Sequence, residues 1–336
     1  MSAPFKTVAL ARHAMATRFE IVLHGENEVA LRAAAEEALD EIQRLEAQLS
    51  LYEPASDISR INARAAAGPV RVEPRLFRLL QHAELLSRET EGAFDITVAP
   101  LMRCWGFLRG GGRLPEPDSL ADARNKVGMH HVILNQDDFT VRFARDGVML
   151  DLGSIGKGYA LERAAELLLD AGVTRALLHG GTSTVHAIGA PPDAEAWKVA
   201  VPHPAFAAAS AGLHSTHPNL DPTQTDLLAV VPLKDEAMSV SAVWGKVFET
   251  NGRVYGHVID PRKGEPVEAG LLAAAVLSSA TETDAFSTAL LTLGPAGQQQ
   301  IRRLREGMRT LLVSRSEEAG GIKVETCGIK VLGNHT

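Results

Sequence analysis

The chain has 336 residues, 45% of them hydrophobic, which is enough to bury a substantial core. A formal net charge of -7 argues against a duplex nucleic-acid binder, which would show a basic face. The two cysteines, Cys104 and Cys327, stand far apart, so neither a disulfide framework nor a zinc knuckle is supported. The opening MSAPFKTVALARHAMATRFEIVLHG lacks a long apolar core ahead of a small-residue cleavage site, and no later stretch reaches membrane-spanning length without charges. The expectation is a soluble protein, cytoplasmic as written and exported if the sequence is a processed form.

Phe19, Ile21 and Leu23 alternate with Glu20, Val22 and His24, the period of a strand with one face on the core. Leu31, Ala35, Ala38, Ile42, Leu45 and Leu49 then recur at steps of three and four, predicting a long helix whose alanines let it lie close to a sheet. Pro74 opens a second helix burying Leu76, Leu79, Leu80, Ala83 and Leu86 and stopping near Gly92. A strand at 94–98 should follow, and RCWGFLRGGGRLPEP at 103–117 reads as a loop. Strands at 131–134, 139–143 and 148–152, separated by turn-prone residues, predict an antiparallel meander.

The spacing of Leu161, Ala164, Ala165 and Leu168 predicts a helix over 157–170, stopped by Gly172 and followed by a strand at 176–179. The polar, proline-bearing segment 205–225 reads as an excursion loop. Strand 227–231 follows, and Asn251-Gly252 between Val247-Phe248 and Val254-Tyr255 signals a tight hairpin. Strand 271–277, helix 283–293, another helix near Gln300 and strand 310–314 close the chain. Hairpins with inserted helices predict an α+β fold with a largely antiparallel or mixed sheet, in one functional unit with its core at about 15–315.

Chemistry concentrates in a few segments. DLGSIGKGYA, 151–160, places an acid, three glycines and a lysine where an apolar strand hands over to a helix, either a structural turn with a solvated lysine or a site where backbone amides and Lys157 face a bound anion while Asp151 offers an acceptor. The spacing rules out a phosphate-loop nucleotidase: Gly153 is too close to Lys157, and Gly158 stands where that motif needs Ser or Thr. In TETDAFSTALLTLG, Asp284 and Thr288 are four residues apart on one helix face, two hard oxygen donors suited to magnesium. The same pattern also serves a helix cap with a packed threonine. In GHVIDPRKGEPV, His257 precedes a turn, either as an acid-base group or as a surface histidine. His203, His214 and His217 lack metal-ligand spacing and read as solvated. Tyr52 ends the long helix where it could stack on a flat ring.

A Met-x-Thr start at Met15, then LSLYEPASDISRIN, EGAFDITVAPL, DLGSIGKGYA, GHVIDPRKGEPV and TETDAFSTALLTLG follow one another in the order of the ApbE-type family of FAD:protein FMN transferases, which the chain resembles over about 15–293. The resemblance implies magnesium-dependent cleavage of the FAD pyrophosphate, transfer of FMN to a Thr or Ser hydroxyl of an acceptor protein, and release of AMP. It carries flavin-dinucleotide contacts onto Met15, Tyr52, Ala93, Phe94, Asp95, Asp151, Lys157 and Ile259, and metal positions onto Ser154, through its backbone carbonyl, Asp284 and Thr288. His257 matches a histidine proposed to assist the transfer.

The chain departs from the family pattern at Thr182-Ser183, where an acid is common, at Val240-Ser241-Ala242, where Thr-Ser-Gly is usual, and at Ala269-Gly270, where His-Asn is familiar. It also lacks the lipid-attachment cysteine of exported relatives near its start. Two alternatives stay open beside the transferase: an FAD pyrophosphatase giving FMN and AMP, and a catalytically decayed flavin-binding protein.

Overall fold

A computed structural model describes residues 5–204, 227–316 and 321–332. The excursion loop expected at 205–225, with His214 and His217, lies outside the described residues.

The centre is an eight-stranded sheet whose spatial order follows the chain: Lys6–Ala14, Thr17–Gly25, Ala176–Gly180, Thr184–Ile188, Ala237–Ala242, Gly270–Leu277, Arg309–Arg315 and Ile322–Cys327. Each strand is antiparallel to the next, so the sheet is antiparallel throughout and the α+β expectation holds. Strand alternation then sorts side chains onto two faces. Ala273 and Ala275 belong to the core under the helices, while Leu272, Ala274 and Val276 belong to a second core under the hairpin Trp197–Pro202 and Leu227–Leu233.

Three helices cover the first face: Glu28–Leu49, Gly156–Asp170 and Ala280–Leu293. The first buries Leu31, Ala35, Ala38, Ile42, Leu45 and Leu49, the stripe read from the sequence, and starts at Asn27, whose side chain accepts the Ala30 N–H. The last starts at Ala280, three residues earlier than the sequence suggested, and is capped by Ser279, whose hydroxyl accepts the Glu282 N–H. None of the described helices is long and apolar enough to cross a membrane.

Two expected strands are absent. At 94–98 the chain curls instead and enters helix Ala99–Cys104. The buried Asp95 carboxylate causes this: it accepts from the N–H and hydroxyl of Thr97, the hydroxyl of Ser87 and the N–H of Met129, gathering three segments around one side chain. At 148–152 the chain is extended but joins no ladder, because Asn62 takes the place of a neighbouring strand: its amide accepts from Leu150 N–H at 2.7 Å and donates to Leu150 C=O at 2.9 Å. The third strand of that small sheet is Val70–Arg71. His203, read as solvated, is buried, since it continues the alternation of Trp197–Pro202, in which every second residue is buried.

Candidate active site

The site starts where helix Gly156–Asp170 meets helix Ala280–Leu293. Gly158 makes the contact possible: a Cβ there would lie 2.1 Å from the Ala280 carbonyl oxygen and 2.8 Å from Asp284 Cβ. Without that side chain the backbones approach closely, and the Gly158 N–H donates to Asp284 Oδ2 at 3.0 Å. Gly158 is the third residue of its helix, so its N–H is one of the first-turn donors without a partner inside the helix, and the Asp284 carboxylate caps it. The Ser154 carbonyl, just ahead of the helix, accepts no backbone hydrogen bond among the described residues.

Asp284 is buried, and its Oδ1 accepts no hydrogen bond from the described residues. Thr288 donates its hydroxyl to the Asp284 carbonyl at 3.1 Å, as does Ser287. Ser241 touches both hydroxyls, Ser287 at 2.8 Å and Thr288 at 3.2 Å, and its single proton serves only one of them. Thr288 therefore keeps a lone pair free. One carbonyl, one carboxylate oxygen and one hydroxyl lone pair remain as acceptors at this junction, a donor set of hard oxygens that fits magnesium. Among the described residues there is no group of three or more His, Cys, Asp or Glu placed to hold a metal.

Charged groups line the approach. Asp151 is half-buried, its Oδ1 accepts from Gly153 N–H at 2.8 Å, and burial pushes its carboxyl up while that hydrogen bond, Lys157 and Lys246 pull it back. Lys157 is steadied by the Gly153 carbonyl at 3.3 Å. Tyr52 is 54% exposed and close enough to Asp151 for the carboxylate to help burial raise its phenol. Asp151 N–H donates to the Ile96 carbonyl at 2.7 Å, which ties the 93–96 segment to the same place. Ala93 and Phe94 are buried there, and every hydrogen bond of Asp95 described above is internal, so this segment presents backbone more than side chain.

His257 reaches the site from the hairpin Val247–Thr250 and Arg253–Gly256. Asn251 and Gly252 have φ of 52° and 72°, the two left-handed positions of a tight turn, as the sequence suggested. Burial holds the His257 imidazole below its usual pKa; the Lys246 backbone pulls it back, while the Lys246 and Lys157 ammonium groups push the same way as burial. Its Nδ1 is buried. Ile259 follows, buried in a small cluster with Leu101, Trp105 and Phe107. The DPRKG turn beyond it is closed by Arg262, which forks onto the Asp260 carboxylate at 2.8 and 2.9 Å.

Met15 sits apart in sequence, at the tip of the first hairpin. Ala14 pairs with Thr17, leaving Met15 and Ala16 as a two-residue turn with φ of 49° and 58°. Two non-glycine residues in the left-handed region are strained. The turn is held by Glu46, whose Oε1 accepts the Met15 N–H at 2.6 Å, and by Gly181, where a Cβ would lie 2.2 Å from Thr17 Oγ1.

Electrostatics and hydrogen bonding thus join Tyr52, Asp151, Lys157, His257, Asp284 and Thr288 around one helix start. A cavity of about 720 Å³ is lined by Arg88, Gly92, Arg124, Arg262 and, of the predicted site residues, Asp95; Lys157, Asp284 and His257 do not line it. Sequence reasoning missed Gly158 as the helix contact, Ser241 as the partner of Thr288, and Lys246. The last was accessible, because a hairpin turning at Asn251-Gly252 pairs Val247 with Gly256 and so sets Lys246 opposite His257.

An antiparallel sheet backed by helices, with a lysine at a helix start and an oxygen-donor corner, defines a class, and comparison identifies the family. The sequence matches the ApbE family over residues 15–312, and the chain belongs to it. It is 28% identical to an FAD:protein FMN transferase of Klebsiella pneumoniae, covering 86% of this chain and 78% of that protein. It is also 28% identical to an FAD:protein FMN transferase of Haemophilus influenzae, covering 86% and 81%. Among solved structures, the flavinyl transferase ApbE of Pseudomonas stutzeri superimposes with a TM-score of 0.80 at 27% identity, covering 96% of this chain and 95% of that one. The ApbE protein of Thermotoga maritima gives a TM-score of 0.80 at 26% identity, covering 95% and 96%.

Proposed function

We propose that the chain is a magnesium-dependent FAD:protein FMN transferase, acting on a Thr or Ser hydroxyl of an acceptor protein and releasing AMP. The observation that carries the metal-dependent reading is the set of oxygens without a hydrogen-bond donor at the Gly158–Asp284 contact and in the turn before it: Asp284 Oδ1, a lone pair of Thr288 and the Ser154 carbonyl. The names of the relatives support the transfer itself.

In this reading Ser154, Asp284 and Thr288 hold the cation, and Met15, Tyr52, Ala93, Phe94, Asp95, Asp151, Lys157 and Ile259 hold the dinucleotide. Bound magnesium supplies charge neutralisation on the pyrophosphate oxygens. Lys157 adds a fixed positive charge at the helix start, where the backbone amides already favour an anion. The acceptor hydroxyl oxygen forms the new bond to the flavin-side phosphorus, the bridging P–O bond breaks towards AMP, and the His257 ring takes the hydroxyl proton. A ring kept neutral by burial and by two neighbouring ammonium groups is available as a base. Positioning and electrostatics do most of this work, as in other phosphoryl transfers.

Incubation with FAD, magnesium and a Thr-bearing acceptor is expected to give AMP and an acceptor heavier by FMN, read by mass spectrometry. FMN and AMP without a labelled acceptor would assign the chain to FAD hydrolysis instead. FAD binding without turnover at any magnesium concentration would leave a flavin-binding protein.

A further inference from the structure

Lys246 belongs to none of the segments that suggested a dinucleotide site, yet its ammonium faces the same groups as Lys157. Both ammonium groups act on the Asp151 carboxylate, and both act on the His257 ring. The backbone explains the placement: the His257 N–H donates to the Lys246 carbonyl at 3.0 Å, continuing the hairpin register beyond Val247 and Gly256. The His257 ring packs on the neighbouring Gly245, where a Cβ would lie 3.0 Å from His257 Cε1.

Three properties set Lys246 apart from a routine surface lysine. It is exposed, and among the described residues its ammonium has no hydrogen-bond or ion-pair partner. The carboxylate facing it, Asp151, is already engaged by the Gly153 N–H and by the charge of Lys157. The hairpin whose open end carries it is anchored by Phe248 and Tyr255, stacked at 5.1 Å and packed on Trp105. The backbone thus sets an uncommitted cation opposite His257, within electrostatic reach of Asp151.

We propose that Lys246 is a second phosphate-binding cation of this site, which pairs with Lys157 so that the two ammonium groups flank a diphosphate and select a dinucleotide over a flavin bearing one phosphate or none. The inference rests on the proposed function, because it presumes that a flavin dinucleotide is the ligand. A single lysine at a helix start accepts any phosphate; a second one on a separate element adds a charge requirement that only a longer anion meets.

The test is equilibrium dialysis of the full chain with FAD, FMN and riboflavin in magnesium buffer, comparing wild type with Lys246→Ala and Lys246→Arg. The expected result is about a tenfold weaker FAD affinity for Lys246→Ala, the scale of one lost charge-assisted contact. A smaller change for FMN, none for riboflavin and near-complete retention by Lys246→Arg are also expected. The loss should shrink as salt is raised. Equal FAD affinity of wild type and Lys246→Ala overturns the inference, and so does an equal loss for riboflavin, which would mark a merely structural role. Failure of wild type to retain FAD overturns the proposed function itself, and is distinguishable because it needs no variant. Lys246 is exposed, so an unchanged melting temperature is expected to accompany the affinity change.

Discussion

The two sides of the site are built differently. On the helix side, Gly158, Asp284 and Thr288 sit where two core helices touch, and Ala280, Ala285 and Ala289 beside them are fully buried. On the hairpin side, Lys246 and His257 hang from a two-stranded ribbon whose own residues are mostly exposed or half-buried. A small aromatic cluster outside the main core anchors that ribbon. Interiors are close-packed and transmit strain, whereas a ribbon on a satellite cluster opens at low cost. The difference divides the labour: the helix side fixes the oxygen donors, and the hairpin side can adjust to what approaches it.

The sharpest way to break this contrast is Gly158→Ala. The added methyl has nowhere to go, since the Ala280 carbonyl oxygen lies 2.1 Å from the Cβ position, with the Ala280 carbonyl carbon and Asp284 Cβ each at 2.8 Å. Overpacking of this kind costs about 3 kcal/mol or more. The two helices must separate, and the Gly158 N–H then loses Asp284. A fall in melting temperature is expected, with turnover of FAD down by about a hundredfold or more, the scale on which misplaced catalytic groups act. Full activity at wild-type magnesium levels would falsify the view that this contact sets the donor geometry.

That contact also marks how far the sequence was readable. The helical stripes, the Asn-Gly hairpin and the Asp284–Thr288 spacing are local patterns, and each appears where its period placed it. What local pattern does not contain is the partner. Nothing near Gly158 in the chain announces Ala280, and nothing near Leu150 announces the Asn62 side chain that replaces a strand. The curl at 94–98 was misread for the same reason: Asp95 gathers Ser87, Thr97 and Met129, two of them distant in sequence. Lys246 is the intermediate case, deducible from hairpin register once the turn is accepted.

Phe248→Ala tests the hairpin side. The ring packs on Trp105, Phe107 and Tyr255, and Gly112 leaves it room: a Cβ on Gly112 would lie 2.1 Å from Phe248 Cδ1. Phe248 is half-buried, so truncation should cost about 2 kcal/mol, below the range for a core phenylalanine. The loss is expected to be local. Hydrogen exchange at 247–257 should speed up while the helix amides keep their protection, and turnover should fall about tenfold through looser placement of His257. Loss of protection across the whole sheet would show that the two sides are not separable.

The smallest expected effect lies in the acid limb of the rate. Burial, Lys246 and Lys157 all hold the His257 pKa below the ordinary value of about 6.5. In the folded protein the ring therefore sheds its proton earlier as pH rises, and it is already a neutral base at pH 7. kcat/KM should be flat above about pH 7 and decline only as pH falls through the depressed value. Stability follows the same sign: the unfolded chain binds the proton more readily, so this ring weakens the fold as pH drops through its unfolded pKa. Lys246→Ala removes one of the depressing charges and should move the acid limb upwards by a fraction of a unit, with the pH-independent rate measured at saturating FAD. A limb at pH 7 or above in wild type would mean that His257 is not held neutral, and the hairpin would then contribute position without a base.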